Sequence, residues 1–178
     1  MVRVFFAVEP AAEIREAVAA AGVLLKPSSA RLGLVDASLL HITLKFVGEV
    51  PEARIPQLSA VLQDLQSVPY ELTVRHVDVF GRPPRVIKAE ICDGGASAAL
   101  ARRIDTLTAP LGIPRDTKPF SPHITIARVR EYALDLHPIL AELRSREFGT
   151  CLIDTVQLKK STLTSCGPIY ETLTEVRL

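Results

Sequence analysis

The chain has no tryptophan, one methionine, three cysteines and an aromatic content of only 5%. The cysteines, Cys92, Cys151 and Cys166, are odd in number and show no CxxC spacing, so they read as free thiols of a reducing cytosol, and a cytoplasmic protein is expected. No Cys/His cluster has zinc-ligand spacing, which argues against a structural metal site. No run of about 18 apolar residues exists, so a transmembrane helix is not expected. The apolar start, MVRVFFAVEP, is too short for a signal peptide and leads into an acidic helix. Neither a GxGxxG nor a Walker A loop is present, which removes support for dinucleotide-fold and P-loop readings. An excess of either charge is also lacking. Lys and Arg number 21 and Asp and Glu 20, split 10 to 9 over residues 1–89 and 11 to 11 over residues 90–178. Such a chain does not grip long nucleic acid by bulk charge, which needs many clustered cations against phosphates. A small anionic group held by a few placed donors remains compatible with it.

What is present is an ordinary globular composition, 48% hydrophobic and 23% charged, over 178 residues. The length suits one domain, or one compact body of two small lobes, with a core large enough to need no staples. Strands are expected at 2–8, 31–35, 41–47, 70–74, 85–91, 122–129, 151–163 and 169–177, from β-branched or aromatic enrichment and alternation. Helices are expected near 11–26, 52–66, 97–111 and 135–146; in the third, Leu100, Ile104, Leu107 and Leu111 keep an apolar stripe. Hairpins and helices mix without regular βα alternation. That pattern predicts an α+β fold with largely antiparallel sheets and helices outside them.

One short segment recurs. His41-Ile42-Thr43-Leu44 and His123-Ile124-Thr125-Ile126 are nearly the same tetrapeptide, and they use two of only four histidines. Both sit in strand-like segments, where side chains alternate faces. Each His therefore shares a face with the Thr two residues on, while the apolar residues between them turn to the core. A lone His-Thr strand match is usually structural; two in matching contexts point to chemistry. Histidine titrates near neutral pH, so one imidazole can accept a proton while an imidazolium donates one. Placed on opposite sides of a phosphorus centre, such a pair suits in-line displacement, with the Thr hydroxyls bonding nonbridging oxygens. That scheme calls for no metal and no cofactor. His76 and His137 lack a Thr at +2 and read as surface or structural residues.

These tetrads and their flanks resemble the 2H phosphoesterase superfamily, and more narrowly the RNA 2′,3′-cyclic phosphodiesterases, also called 2′–5′ RNA ligases. The resemblance runs from Arg3-Val4-Phe5-Phe6-Ala7 through His41–Glu49, Phe80-Gly81, Pro84–Ile87 and Phe120–Arg128 to Ser161, Gly167-Pro168 and Tyr170. Two departures stand out. The family often carries a tryptophan before the first motif and another in the central hairpin, where this chain has Leu34-Val35 and Lys88. The resemblance implies a single domain over residues 1–178 made of two interleaved, pseudo-twofold lobes, each presenting one H-x-T-x strand to a central cleft. It implies hydrolysis of an RNA terminal 2′,3′-cyclic phosphate to a 2′-phosphate, and 2′–5′ ligation in some members. Alternatives on the same fold are a phosphodiesterase for small nucleotides, such as an ADP-ribose cyclic phosphate or a 2′–5′ oligoadenylate, and a non-catalytic nucleotide-binding module. The expected partners are RNA 3′ ends or small nucleotides, without membrane, and the expected state is a monomer.

By that analogy His41 is the proton donor and His123 the proton acceptor, although the sequence alone leaves the two symmetric. Thr43 and Thr125 are assigned to phosphate binding, and so is Arg128, whose forked guanidinium suits phosphate oxygens. Simple alternation turns Arg128 away from His123 unless the strand ends or bulges. Phe46, at the same distance from His41, is expected in the core. Phe5 stacks on the terminal base if its face lines the cleft, and otherwise packs inside.

Overall fold

The computed structural model describes residues 1–165 and 167–178; Cys166, expected from sequence to be a free thiol, lies outside the described residues. Among the described residues there are nine strands and four α-helices in the order β1 (Val2–Val8), α1 (Ala12–Val23), β2 (Arg31–Leu34), β3 (Ile42–Val50), α2 (Ile55–Gln63), β4 (Tyr70–Phe80), β5 (Val86–Cys92), α3 (Ala96–Thr108), β6 (His123–Glu131), α4 (Leu136–Leu143), β7 (Glu147–Ile153), β8 (Thr155–Thr164) and β9 (Gly167–Arg177).

The strands form two antiparallel sheets. The first has the order β3-β1-β8-β9 and the second β2-β6-β5-β4-β7. The α+β expectation is met. The two sheets draw on interleaved stretches of chain, because β2 joins the second sheet between two strands of the first. The helices are exchanged in the same sense. Helix α1 follows a strand of the first sheet but packs on β6 and β7 of the second, and α3 follows β5 of the second but packs on β3 of the first. Strand β1 lies between β3 and β8, and its residues Val4 to Val8 are buried on both faces, which accounts for its near-continuous apolar run.

The helices sit directly behind the motif strands. On α1, Ile14, Val18, Ala21 and Gly22 are buried. Gly22 permits a close approach: a β-carbon there would lie 3.2 Å from Cγ2 of Ile126, the last residue of the second tetrad. Behind the first tetrad, Lys45 of β3 is wholly buried. Its ammonium bonds Asp105 of α3 at 2.6 Å, the Pro114 carbonyl at 3.0 Å and Asp116 at 3.3 Å. This one side chain fastens α3 and the following loop to the back of β3, and each of its three N–H groups has a partner.

The strand boundaries expected from sequence need correction at two places. The strand expected at 70–74 runs on to Phe80. The stretch 151–163, expected as one strand, is two. Strand β7 ends at Ile153 and pairs with β4, whereas β8 starts at Thr155 and pairs with β1 of the other sheet. Only Asp154 separates them. The run has no glycine or proline at the junction, so nothing local announces the change; each half is captured by a different partner strand. Among the described residues no helix is long and apolar enough to cross a membrane.

Candidate active site

Both tetrads turn as alternation requires. Ile42, Leu44, Ile124 and Ile126 are buried, while His41, Thr43, His123 and Thr125 are only partly covered. Beyond the tetrads the two strands depart from simple alternation in the same way. In the pairing of β1 with β3, Phe6 faces Lys45 and Ala7 faces Thr43, so Leu44 has no partner. In the pairing of β5 with β6, Ile87 faces Ala127 and Lys88 faces Thr125, so Ile126 has none. Each strand therefore carries a one-residue bulge at the fourth tetrad position, and a bulge reverses the facing of the residues beyond it. Lys45 and Ala127 stay inside, and Phe46 and Arg128 return to the face of the histidines.

This resolves the parity problem of Arg128, which lines the same cleft as His123 and Thr125. It also corrects the expectation for Phe46. That ring is 48% exposed and lines the cleft rather than the core. Phe5, left open between cleft and core by the sequence, borders the cleft but is only 1% exposed. Its ring lies against His41 (centroids 4.9 Å apart), Phe46 (5.9 Å) and Tyr170 (5.2 Å), which cover most of it. It is a buried buttress for His41.

The cleft between the sheets has a volume of about 660 Å³ and takes His41 and Thr43 from the first sheet, His123, Thr125 and Arg128 from the second. The histidines are held alike. His41 Nδ1 lies 2.8 Å from the Leu39 carbonyl oxygen and His123 Nδ1 2.7 Å from the Ser121 carbonyl oxygen. A carbonyl only accepts, so Nδ1 carries hydrogen in both rings, and Nε2 is left as the atom that can gain or lose a proton. His41 Nε2 is 3.0 Å from Thr43 Oγ1, and when the ring is neutral the hydroxyl donates to it.

The two surroundings differ. Burial pushes the His41 imidazole below its ordinary value; the Leu39 carbonyl pulls it back up, Lys159 lowers it, Glu9 raises it and His123 lowers it. Lys159 is hydrogen-bonded to Glu9, so the two charges nearest His41 largely offset each other. Burial also lowers His123; the Ser121 carbonyl raises it, and Lys88 and Arg128 lower it further. Lys88 is paired with Glu90 at 3.0 Å and Asp78 at 3.6 Å. Among the described residues Arg128 has no carboxylate partner, so its charge acts on His123 uncompensated.

Sequence reasoning missed two further cations of the cleft, Arg3 and Arg130. With Arg128 they make three guanidiniums, and among the described residues no carboxylate lines the cleft. A chain of net charge +1 thus concentrates positive charge where low-dielectric walls focus it. Arg3 could have been found from its alternation with Phe5, and Arg130 from its alternation with Arg128 once the bulge is known. The tryptophan positions of the resembling family are filled as the sequence shows: Leu34 and Val35 line the cleft, and Lys88 is held by its carboxylates. Among the described residues no three His, Cys, Asp or Glu side chains gather as a metal-binding set.

Comparison with known proteins agrees with this picture. A family model described as the 2′-5′ RNA ligase superfamily matches residues 6–163, and the chain belongs to that family. It is an enzyme of the hydrolase class that acts on phosphodiester bonds. Proteins named RNA 2′,3′-cyclic phosphodiesterase are similar over nearly the full length. The one from Archaeoglobus fulgidus is 33% identical over 175 residues, covering 96% of this chain and 97% of its own. The one from Methanothermobacter thermautotrophicus is 31% identical over 183 residues, covering 99% of both. Among solved structures, TT0787 of Thermus thermophilus superposes with a TM-score of 0.85 at 29% identity, covering 99% of this chain and 97% of that one. LigT of E. coli, complexed with 3′-AMP, superposes with a TM-score of 0.82 at 25% identity, covering 99% and 98%.

Proposed function

We propose that the protein hydrolyses the 2′,3′-cyclic phosphate at RNA 3′ ends to a 2′-phosphate and a free 3′ hydroxyl, by acid–base catalysis from His41 and His123 without a metal ion. The observation that carries this reading is the matched pair of imidazoles, one from each sheet, each tied at Nδ1 to a carbonyl and each lining the cleft that Arg128 lines. The 2′,3′-cyclic phosphodiesterase names of full-length relatives supply the substrate.

In the step, a water oxygen attacks phosphorus while His123 Nε2 takes its proton. The bond from phosphorus to O3′ breaks, and His41 Nε2–H protonates the departing oxygen. The unequal surroundings favour this division. Burial, Lys88 and the uncompensated Arg128 keep His123 neutral, as a base must be, whereas at His41 Glu9 offsets the opposing charge of Lys159. Arg128 and Thr125 hold the nonbridging oxygens. If a 5′ hydroxyl replaces water, the same groups catalyse 2′–5′ joining. Both lobes contribute one histidine, so residues 1–178 act as one domain, and one copy of the chain builds the whole cleft.

Incubation with an oligonucleotide ending in a 2′,3′-cyclic phosphate, in the presence of EDTA, tests the reading; the expected product is the 2′-phosphate. A 3′-phosphate, or loss of turnover with EDTA, overturns it. The pH dependence has a definite sign. Both free-enzyme histidines lie below the ordinary value of 6.5, so kcat/KM, which reports the free enzyme, peaks on the acid side of 6.5. The bound phosphate anion stabilises the imidazolium and moves the kcat profile to higher pH.

A further inference from the structure

Arg130 has no role in the two-histidine scheme, yet it lines the cleft two residues beyond Arg128. Three observations converge on it. Its backbone is bulged: β2 pairs with β6 at Gly33–Arg128 and Leu32–Val129 and then jumps to Arg31–Glu131, leaving Arg130 opposite no residue. Bulges beside active sites re-aim side chains. Its charge is free, because the adjacent Glu131 is taken by Arg31 at 2.9 Å and Arg130 has no carboxylate partner among the described residues. Finally there is room beside it. Gly33 lines the cleft opposite Arg128, and a β-carbon there would sit 3.8 Å from both the Arg128 carbonyl oxygen and Arg130 Nε. Gly33 does not have the left-handed backbone that would demand glycine, so what its missing side chain provides is space.

Arg128 and Arg130 are separated by two residue rises, ~6.5 Å along a strand. That is the order of the step between neighbouring phosphates of an extended single strand. We propose that Arg130 and the notch over Gly33 form a second-phosphate subsite, which takes the phosphodiester joining the terminal nucleotide to the one before it. The inference rests on the cyclic phosphodiesterase reading and narrows it: the preferred substrate is an oligonucleotide end rather than a lone nucleoside cyclic phosphate. A guanidinium suits this task because its forked donors meet two phosphate oxygens at once.

The test uses two dinucleotides ending in a 2′,3′-cyclic phosphate, one with the natural internucleotide phosphodiester and one with a neutral methylphosphonate there. Wild-type kcat/KM is expected to favour the charged linkage by about tenfold or more. In Arg130→Ala that ratio collapses toward one, and Arg130→Lys restores part of it. Gly33→Val, which keeps both guanidiniums but fills the notch, lowers the ratio as well. A wild-type ratio near one, or an undiminished ratio in Arg130→Ala, overturns the subsite while leaving the cyclic phosphodiesterase reading standing. Absence of turnover on both dinucleotides overturns that reading and the subsite together.

Discussion

Strands β3 and β6 are two versions of one device set in different surroundings. A His stands at the start of each, His41 just before β3 and His123 as the first residue of β6, followed by a core residue, Thr and a bulged core residue, and each histidine is tied to a carbonyl two residues upstream. They part company just after the bulge. Strand β3 continues with buried Lys45 and cleft-facing Phe46, and β6 with buried Ala127 and cleft-facing Arg128. Behind β3 stands an ion pair to α3; behind β6 stands α1, packed closely at Gly22. The shared part places two equivalent proton-transfer groups around one centre. The unshared part makes them inequivalent: a free cation, Arg128, acts on His123, whereas the cation acting on His41, Lys159, is paired with Glu9. Aromatic rings flank both, Phe80 at His123 and Phe5 and Tyr170 at His41. A reaction that needs one acid and one base requires both halves of that arrangement.

The comparison is broken most severely at the histidines. His41→Ala and His123→Ala are each expected to lower kcat by roughly 10²–10⁴-fold on a cyclic-phosphate oligonucleotide. Near-full activity in either variant would show that the repeat is not a catalytic pair. The next largest effect is on stability. Lys45→Ala gives β3 the residue that β6 has at that place, but it takes the buried ammonium away from Asp105, Asp116 and the Pro114 carbonyl. Loss of one partner of a buried pair costs about 3 kcal/mol, read as a lower midpoint in urea unfolding with an unchanged slope. Ala127→Gly on the other strand touches no such network and should cost less.

Arg128→Ala sharpens the electrostatic difference. Removing a charge-assisted bond to phosphate, worth about 1.5–3 kcal/mol, should raise KM by roughly 10- to 100-fold. Because Arg128 lowers His123, its removal also shifts the acid limb of the kcat/KM profile to higher pH. Phe46→Ala should leave that limb in place. The smallest effects are expected at the threonines, up to about tenfold each. Thr43 already donates to His41, so Thr43→Val is expected to move the pH profile, whereas Thr125→Val is expected to raise KM.

Much of this was legible in the chain itself. The tetrads, the facing of Ile42, Leu44, Ile124 and Ile126, and the positions of most strands and all four helices follow from period-2 and period-3.6 patterns that a single residue run contains. The split at Asp154 was not legible, because the break is made by β4 and β1 competing for adjacent halves of one β-rich run. The true facings of Phe46 and Arg128 were not legible either. A bulge is defined by pairing with a neighbouring strand, and both bulge residues, Leu44 and Ile126, look like ordinary strand residues. Phe5 was open between core and cleft, and only the packing of His41, Phe46 and Tyr170 around it closed the question.

The sequence by itself determined the chemistry on offer: two His-Thr pairs, a near-neutral chain without metal-ligand spacing, and an Arg at the fifth position after one histidine. Those are properties of residue type and local period, which every strand expresses without help. Tertiary structure decided which of those groups meet. Two sheets whose histidines lie 82 positions apart in the chain had to close on one cleft. Two bulges had to reverse the strands at Leu44 and Ile126, and three arginines had to gather in a cleft that no described carboxylate lines. Each depends on partners distant along the chain, and so only folding could settle it.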